Sequence, residues 1–112
     1  MKIIREYGIN GDKKLRYNLV EASGASMNEM IGQRIQVRAY ALIEQTNRDG
    51  EESRVLKVIT TDGEICGTGS PSFISGFERY LECMESDQVD EFEISSARSK
   101  AGRQYLTFKA AT

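Results

Sequence analysis

Residues 62–84 read D-G-E-I-C-G-T-G-S-P-S-F-I-S-G-F-E-R-Y-L-E-C-M, and along them the pattern changes from two-residue alternation to helical spacing. Asp62-Gly63 is a tight-turn dipeptide, and residues 64–68 are short and extended. Gly69-Ser70-Pro71 then supplies a joint, a cap and a proline suited to the first helical turn. The helix this predicts carries Phe73, Phe77 and Leu81 at i, i+4 and i+8, widened by Ile74 and Met84. Glu78, Arg79, Glu82 and Glu85 fall largely outside that stripe, so one apolar face needs a partner.

Strands flank the helix on both sides. Residues 33–44 alternate cleanly, with Ile35, Val37, Ala39, Ala41 and Ile43 on one face and Arg34, Gln36, Arg38, Tyr40 and Leu42 on the other. Residues 45–52 are polar and turn-rich. The strand that follows, 53–61, is apolar on both faces through Val55, Leu56, Val58 and Ile59, which predicts a more buried strand or a bulge that switches faces. After the acidic link 86–90, Phe92, Ile94 and Ser96 face one way and Glu91, Glu93 and Ser95 the other. Ser99-Lys100-Ala101-Gly102 is a hairpin turn, and the last strand returns with Leu106 and Phe108 inward and Tyr105, Thr107 and Lys109 outward.

Upstream the pattern is weaker. Residues 1–11 hold Ile3, Ile4, Tyr7 and Ile9 with no clear period and read as an arm. Asp12 is a helix cap, Leu15, Leu19, Val20 and Ala22 recur at helical spacing, and Ser23-Gly24 ends the run. Ser26 to Glu29 has the capping-box form S-x-x-E, enough for one turn before Gly32.

A chain of 112 residues fits one domain, here an arm and short helix over 1–32 and a β-rich body over 33–110. Cys66 and Cys83 are far apart with no histidine in the chain, so they read as free thiols and no metal or other cofactor is called for. Lack of histidine also removes Ser-His and Cys-His nucleophile pairs and H-E-x-x-H zinc sites, and the expectation is a protein that is not an enzyme. The stretch M-K-I-I-R-E-Y-G meets charge and glycine too soon to read as a signal h-region, and no run nears the ~18 apolar residues of a membrane span. A soluble, cytoplasmic protein is expected. The formal charge of −2 conceals a separation of sign. Glu78, Glu82, Glu85, Asp87, Asp90, Glu91 and Glu93 gather on the helix and its exit, while Arg34, Arg38, Arg98, Lys100, Arg103 and Lys109 lie elsewhere.

The order β-β-β-α-β-β is that of the OB-fold, a five-stranded Greek-key barrel with a helix between strands 3 and 4, here preceded by a short N-terminal helix. The loops 45–52 and 97–103 take the places that flank the ligand face in that fold. An α+β sandwich with an antiparallel sheet stands as the alternative, because order in sequence does not fix strand order in space.

From Met30 to Phe108, the segments I-G-Q-R-I-Q-V, T-T-D-G, G-T-G-S-P-S-F-I-S-G-F and S-K-A-G-R-Q-Y-L-T-F resemble the single-stranded DNA-binding proteins of tailed phages, including the group typified by the phi29-like phages. That resemblance implies an OB-fold, sequence-tolerant binding of single-stranded DNA during phage replication in the host cytoplasm, with replication proteins as further partners, and no catalysis.

Such a binder needs cations spaced for phosphates and exposed aromatic faces for bases. Arg34, Arg38 and Tyr40 share the predicted outer face of the first barrel strand, and Tyr105 and Lys109 that of the last. Lys57 would extend the surface, and Arg98, Lys100 and Arg103 would clamp the backbone from the hairpin. Against this, outward cations are commonly plain solvated surface, and Tyr40 and Tyr105 could be ordinary cross-strand aromatics. G-T-G-S at 67–70 reads better as a structural turn than as a phosphate cradle, since Ser72 replaces the third glycine of a dinucleotide fingerprint and no G-K-S or G-K-T follows. A second functional reading is a protein-interaction module that docks a partner on the acidic helix or link.

Overall fold

The computed structural model describes residues 1–111. The helix begins where the proline directs: α2 spans Pro71–Met84, and Ser70 Oγ accepts from the Phe73 amide at 3.4 Å. Phe73, Ile74, Phe77 and Leu81 are buried, but Met84 is 56 % exposed and does not join the stripe. It is the last helical residue, and Glu85 turns the chain away in the left-handed region with φ 52°.

Around α2 run β3 (Arg34–Thr46), β4 (Glu52–Thr60), β5 (Ile65–Thr68), β6 (Glu91–Arg98) and β7 (Gln104–Ala110), in the predicted β-β-β-α-β-β order. Two further strands come from the amino-terminal region: β1 (Lys2–Tyr7), where the sequence reads as an arm, and β2 (Ala25–Ser26). Between them lies α1 (Lys13–Glu21), capped by Asp12, and a single 3₁₀ turn at Met27–Glu29 follows β2. The seven strands form one curled, mixed sheet in the order β2-β5-β4-β3-β6-β7, with β1 on β3. Every pairing is antiparallel except β2 with β5. That parallel pair depends on Gly24, where a Cβ would stand 2.2 Å from the Ile65 carbonyl oxygen.

β3 is the axis. One edge pairs with β4, while the other is divided: Arg34–Gln36 meets β6, and Tyr40–Glu44 meets β1. A bulge between Val37 and Ala39 leaves Arg38 as the extra residue and exchanges the faces of the strand. Before it, Ile35 and Val37 enter the main core; beyond it Tyr40 and Leu42 do, while Ala39, Ala41 and Ile43 turn to the opposite side. The strict alternation expected over 33–44 therefore fails at Arg38. Gly8 lies against this bulge, its φ +80° and its notional Cβ only 2.3 Å from the Arg38 carbonyl oxygen.

The face that the bulge turns outward is covered by α1. Leu19 and Val20 pack with Ile9 on Ala39, Ala41, Ile43 and Ile59, the two alanines leaving room for the helix. Both Arg16 Nε and Nη2 donate to Glu6, at 3.0 and 2.6 Å, and tie α1 to β1. β4 is thus buried on both faces, as its composition predicts.

The main core lies on the concave side. Phe108 packs against Phe73, Phe77 and Phe92 at centroid distances of 5.3–5.7 Å. β5 and β7 do not pair with each other. Instead α2 leaves β5 and runs along β7, where Ser72 Oγ donates to the Leu106 carbonyl at 2.7 Å and Gly76 admits Phe108 at 3.1 Å from a notional Cβ. No helix among the described residues is long and apolar enough to cross a membrane.

The two thiols sit in unlike surroundings. Burial, reinforced by Glu64, pushes the Cys66 thiol up to about 11, whereas Cys83 is exposed. One thiol is therefore expected to react promptly with a disulfide reagent at pH 8, and Cys83→Ser should abolish that phase while leaving a second thiol that reacts only on unfolding. Two fast thiols in the native protein would contradict this placement of Cys66.

Candidate nucleic-acid interface

Phe92, Ile94 and Leu106 point into the core, so the alternate residues of β6 and β7 form the outer face. The register sets them in rows: Ala97 opposite Tyr105, Ser95 opposite Thr107, and Glu93 opposite Lys109. Tyr105 is 40 % exposed, and its row and the next hold only small or short side chains. A ring bordered in this way is accessible to a flat partner.

The hairpin beyond Tyr105 is stiffened by Gly102 N donating to Ser99 O and Ser99 N to Arg103 O, both at 2.9 Å, and by Arg103 N donating to Ser99 Oγ at 3.2 Å. Arg98, Lys100 and Arg103 are all exposed there, and none joins an ion pair among the described residues. From residue 94 to the end of the chain there are four cations, Lys109 being the fourth, and no Asp or Glu side chain. Local charge is positive although the protein is acidic overall.

The third row is less basic than the sequence suggests. Arg34 stands opposite Glu93 and 3.9 Å from Glu91, while Lys109 lies 3.5 Å from Glu93. Cations and carboxylates thus alternate across β3, β6 and β7. Exposed pairs of this kind are worth about 0–1 kcal/mol, weak enough for a polyanion to displace the carboxylate. Arg38 is exposed at the bulge and makes no ion pair among the described residues.

The structure takes two of the expected contacts off this face. Tyr40 is fully buried: the bulge rotates it into the main core, its ring meets Phe77 edge-on at 4.9 Å, and its hydroxyl donates to the Asp87 carbonyl at 2.6 Å. Burial, with Asp87 adding to it, raises its pKa. No base can stack on it. Lys57 lies on the other side of β3, its ammonium donating to the Ala22 carbonyl at the end of α1, so it does not extend the β6–β7 surface.

The loop at 46–51 also contributes little positive charge. Asn47 Oδ1 accepts from the Asp49 and Glu51 amides at 3.0 and 2.9 Å, and Arg48 is accompanied by Asp49, Glu51 and Glu52. On the acidic helix and its exit, Glu78 pairs with Arg54 at 2.5 Å and Asp87 with Arg5 at 3.0 Å. No group of three or more His, Cys, Asp or Glu side chains among the described residues is arranged to hold a metal ion.

No family model, curated protein or solved structure matches this chain. The surfaces themselves carry the functional argument.

Proposed function

We propose that the protein is an OB-type barrel that binds single-stranded DNA without sequence preference, as a coat for replication intermediates of a phage. The observation that carries this reading is the carboxylate-free hairpin of Arg98, Lys100 and Arg103 beside the exposed ring of Tyr105. The barrel assignment is supported by β3 pairing on one edge with β4 and on the other with β6, with α2 lying across the unpaired side between β5 and β7. Cations would hold phosphates by charge alone, and a stacked ring accepts any base, so the combination favours affinity without readout. The OB-fold commonly binds on its second and third strands; here α1 covers part of the corresponding side, which favours the β6–β7 face.

The test is fluorescence anisotropy with a labelled thymidine oligomer at several salt concentrations, competed with unlabelled duplex. Binding should survive the duplex and weaken steeply with salt. Tyr105→Ala should cost ~1–3 kcal/mol, the worth of one stacked base, with the salt slope unchanged. Arg98→Gln, Lys100→Gln and Arg103→Gln combined should flatten the log–log slope by about 2, at about 0.7 per phosphate on a single strand. Absence of binding at low salt would sink the proposal. Attention would then pass to the acidic flank, where Met84 stands exposed between Glu82 and Glu85 as a docking surface for a protein partner.

A further inference from the structure

A cleft of about 440 Å³ lies on the outer side of β4 and β5, away from the β6–β7 face, between residues 23–28 and the start of α2. Its floor is bare. Lys57 pairs with Gly67 in register, and Gly69 continues the same line, so β5 raises no side chain into the cleft at either glycine. Gly67 also lets the lysine stem lie close, since a Cβ there would be 3.2 Å from Lys57 Cδ and 3.1 Å from the Leu56 carbonyl oxygen.

The lining has a distinctive charge. Among the described residues that line it, Lys57 is the one ionised side chain and none is Asp or Glu, whereas four other clefts on the surface each include at least one Asp or Glu. The Lys57 ammonium is anchored by the Ala22 carbonyl and retains two further N–H donors. Neither the Ser23 hydroxyl nor the Asn28 side-chain amide has a hydrogen-bond partner among the described residues. Ser70, the cap residue before α2, also lines this space. A pinned cation, idle donors and a floor without side chains suit a compact, multiply accepting anion.

We infer that this cleft is a phosphate-binding subsite; for the source of that phosphate, one phosphodiester of a bound strand, it rests on the single-strand reading above. The donors come from two sides, Ser23 and Asn28 on one and Lys57 of β4 on the other, so a phosphate would bridge the 23–28 segment to β4.

The experiment is an amide ¹H–¹⁵N titration of the whole protein with thymidine 3′,5′-bisphosphate, with thymidine alone, and with the thymidine oligomer. The bisphosphate should shift Gly24, Gly67, Gly69 and Ser70 saturably, and thymidine should not. Gly69→Asp places a carboxylate in the cleft at a position where a Cβ has only the Arg54 carbonyl oxygen near it, at 3.7 Å, and should weaken the bisphosphate at least tenfold. Gly69→Ala should retain binding, and Lys57→Gln should lose it. Unmoved amides, equal shifts with thymidine, or equal binding by Gly69→Asp would overturn the proposal. Bisphosphate binding in the cleft without oligomer binding would remove the single-strand reading and leave a site for a free phosphorylated ligand. Oligomer binding with the cleft silent to both phosphate probes would remove the cleft alone.

Discussion

Tyr40→Ala is expected to lower the free energy of unfolding by about 3–5 kcal/mol, the range for deleting a buried aromatic side chain. Tyr40 is fully buried, packs on Phe77 and touches Tyr7, and its hydroxyl holds the Asp87 carbonyl, so truncation opens a cavity and releases the link that follows α2. Against a total of about 5–15 kcal/mol for a domain of this size, much of the native population is at stake. Tyr40→Phe keeps the ring and deletes one hydrogen bond to a backbone carbonyl, and should cost about 1–2 kcal/mol. Urea denaturation measures both. The phenylalanine variant carries a second expectation: its affinity for a thymidine oligomer should equal that of the native protein. A loss of affinity in folded Tyr40→Phe would mean that this hydroxyl reaches ligand and that the bulge does not turn it inward.

The second large effect is expected at Gly8. Gly8 and Gly11 have nearly the same backbone, φ +80° and +79°, but a Cβ at Gly8 would collide with the Arg38 carbonyl while one at Gly11 meets nothing within 4 Å. Gly11→Ala should therefore show the conformational cost alone, about 1 kcal/mol. Gly8→Ala should cost about 2–4 kcal/mol, because β1 must also retreat from the bulge. Equal destabilisation by the two substitutions would mean that the close approach contributes nothing. The comparison matters because the bulge decides which residues of β3 see the core and which see α1.

The parts legible in the sequence are those specified by local chemistry. Ser70-Pro71 starts α2, Phe73, Phe77 and Leu81 define its buried face, and the turn at 99–102 joins two strands of correct parity. Two of the misread parts share a cause, an extra residue in a strand. At Arg38 it moves Tyr40 from the outer to the inner set, and nothing in R-I-Q-V-R-A-Y-A-L-I announces it, since Ala39 and Ala41 suit either face. In β1 a second irregularity between Ile3 and Arg5 breaks the alternation, so a paired strand reads as an arm. Ile3 then packs toward α1 while Ile4 and Tyr7 pack toward the main core. The run of both-face apolar residues in β4 was the available sign that a second layer existed. Of the candidate site, Tyr105 follows from strand parity, and the exposure of Arg98, Lys100 and Arg103 from their place at the hairpin. The pairing of Arg34 and Lys109 with Glu91 and Glu93 needed the register, and the capture of Lys57 by Ala22 needed the path of α1.

The divided edge of β3 bears on how the protein is made. Synthesis delivers β1, α1, β3 and β4 first, and these can join at once, with Ile3 reaching Ile43 and Leu42 reaching Leu56. The amino-terminal stretch of β3 must wait, because Ile35 is completed by Phe92, near the end of the chain. Any polypeptide released before β6 carries an unsatisfied apolar ladder at Ile35 and Val37, the kind of edge on which chains associate with one another. Fragments ending near residue 85 should thus sediment as aggregates, while the 112-residue chain, in which β6 covers Ile35, should stay in the supernatant.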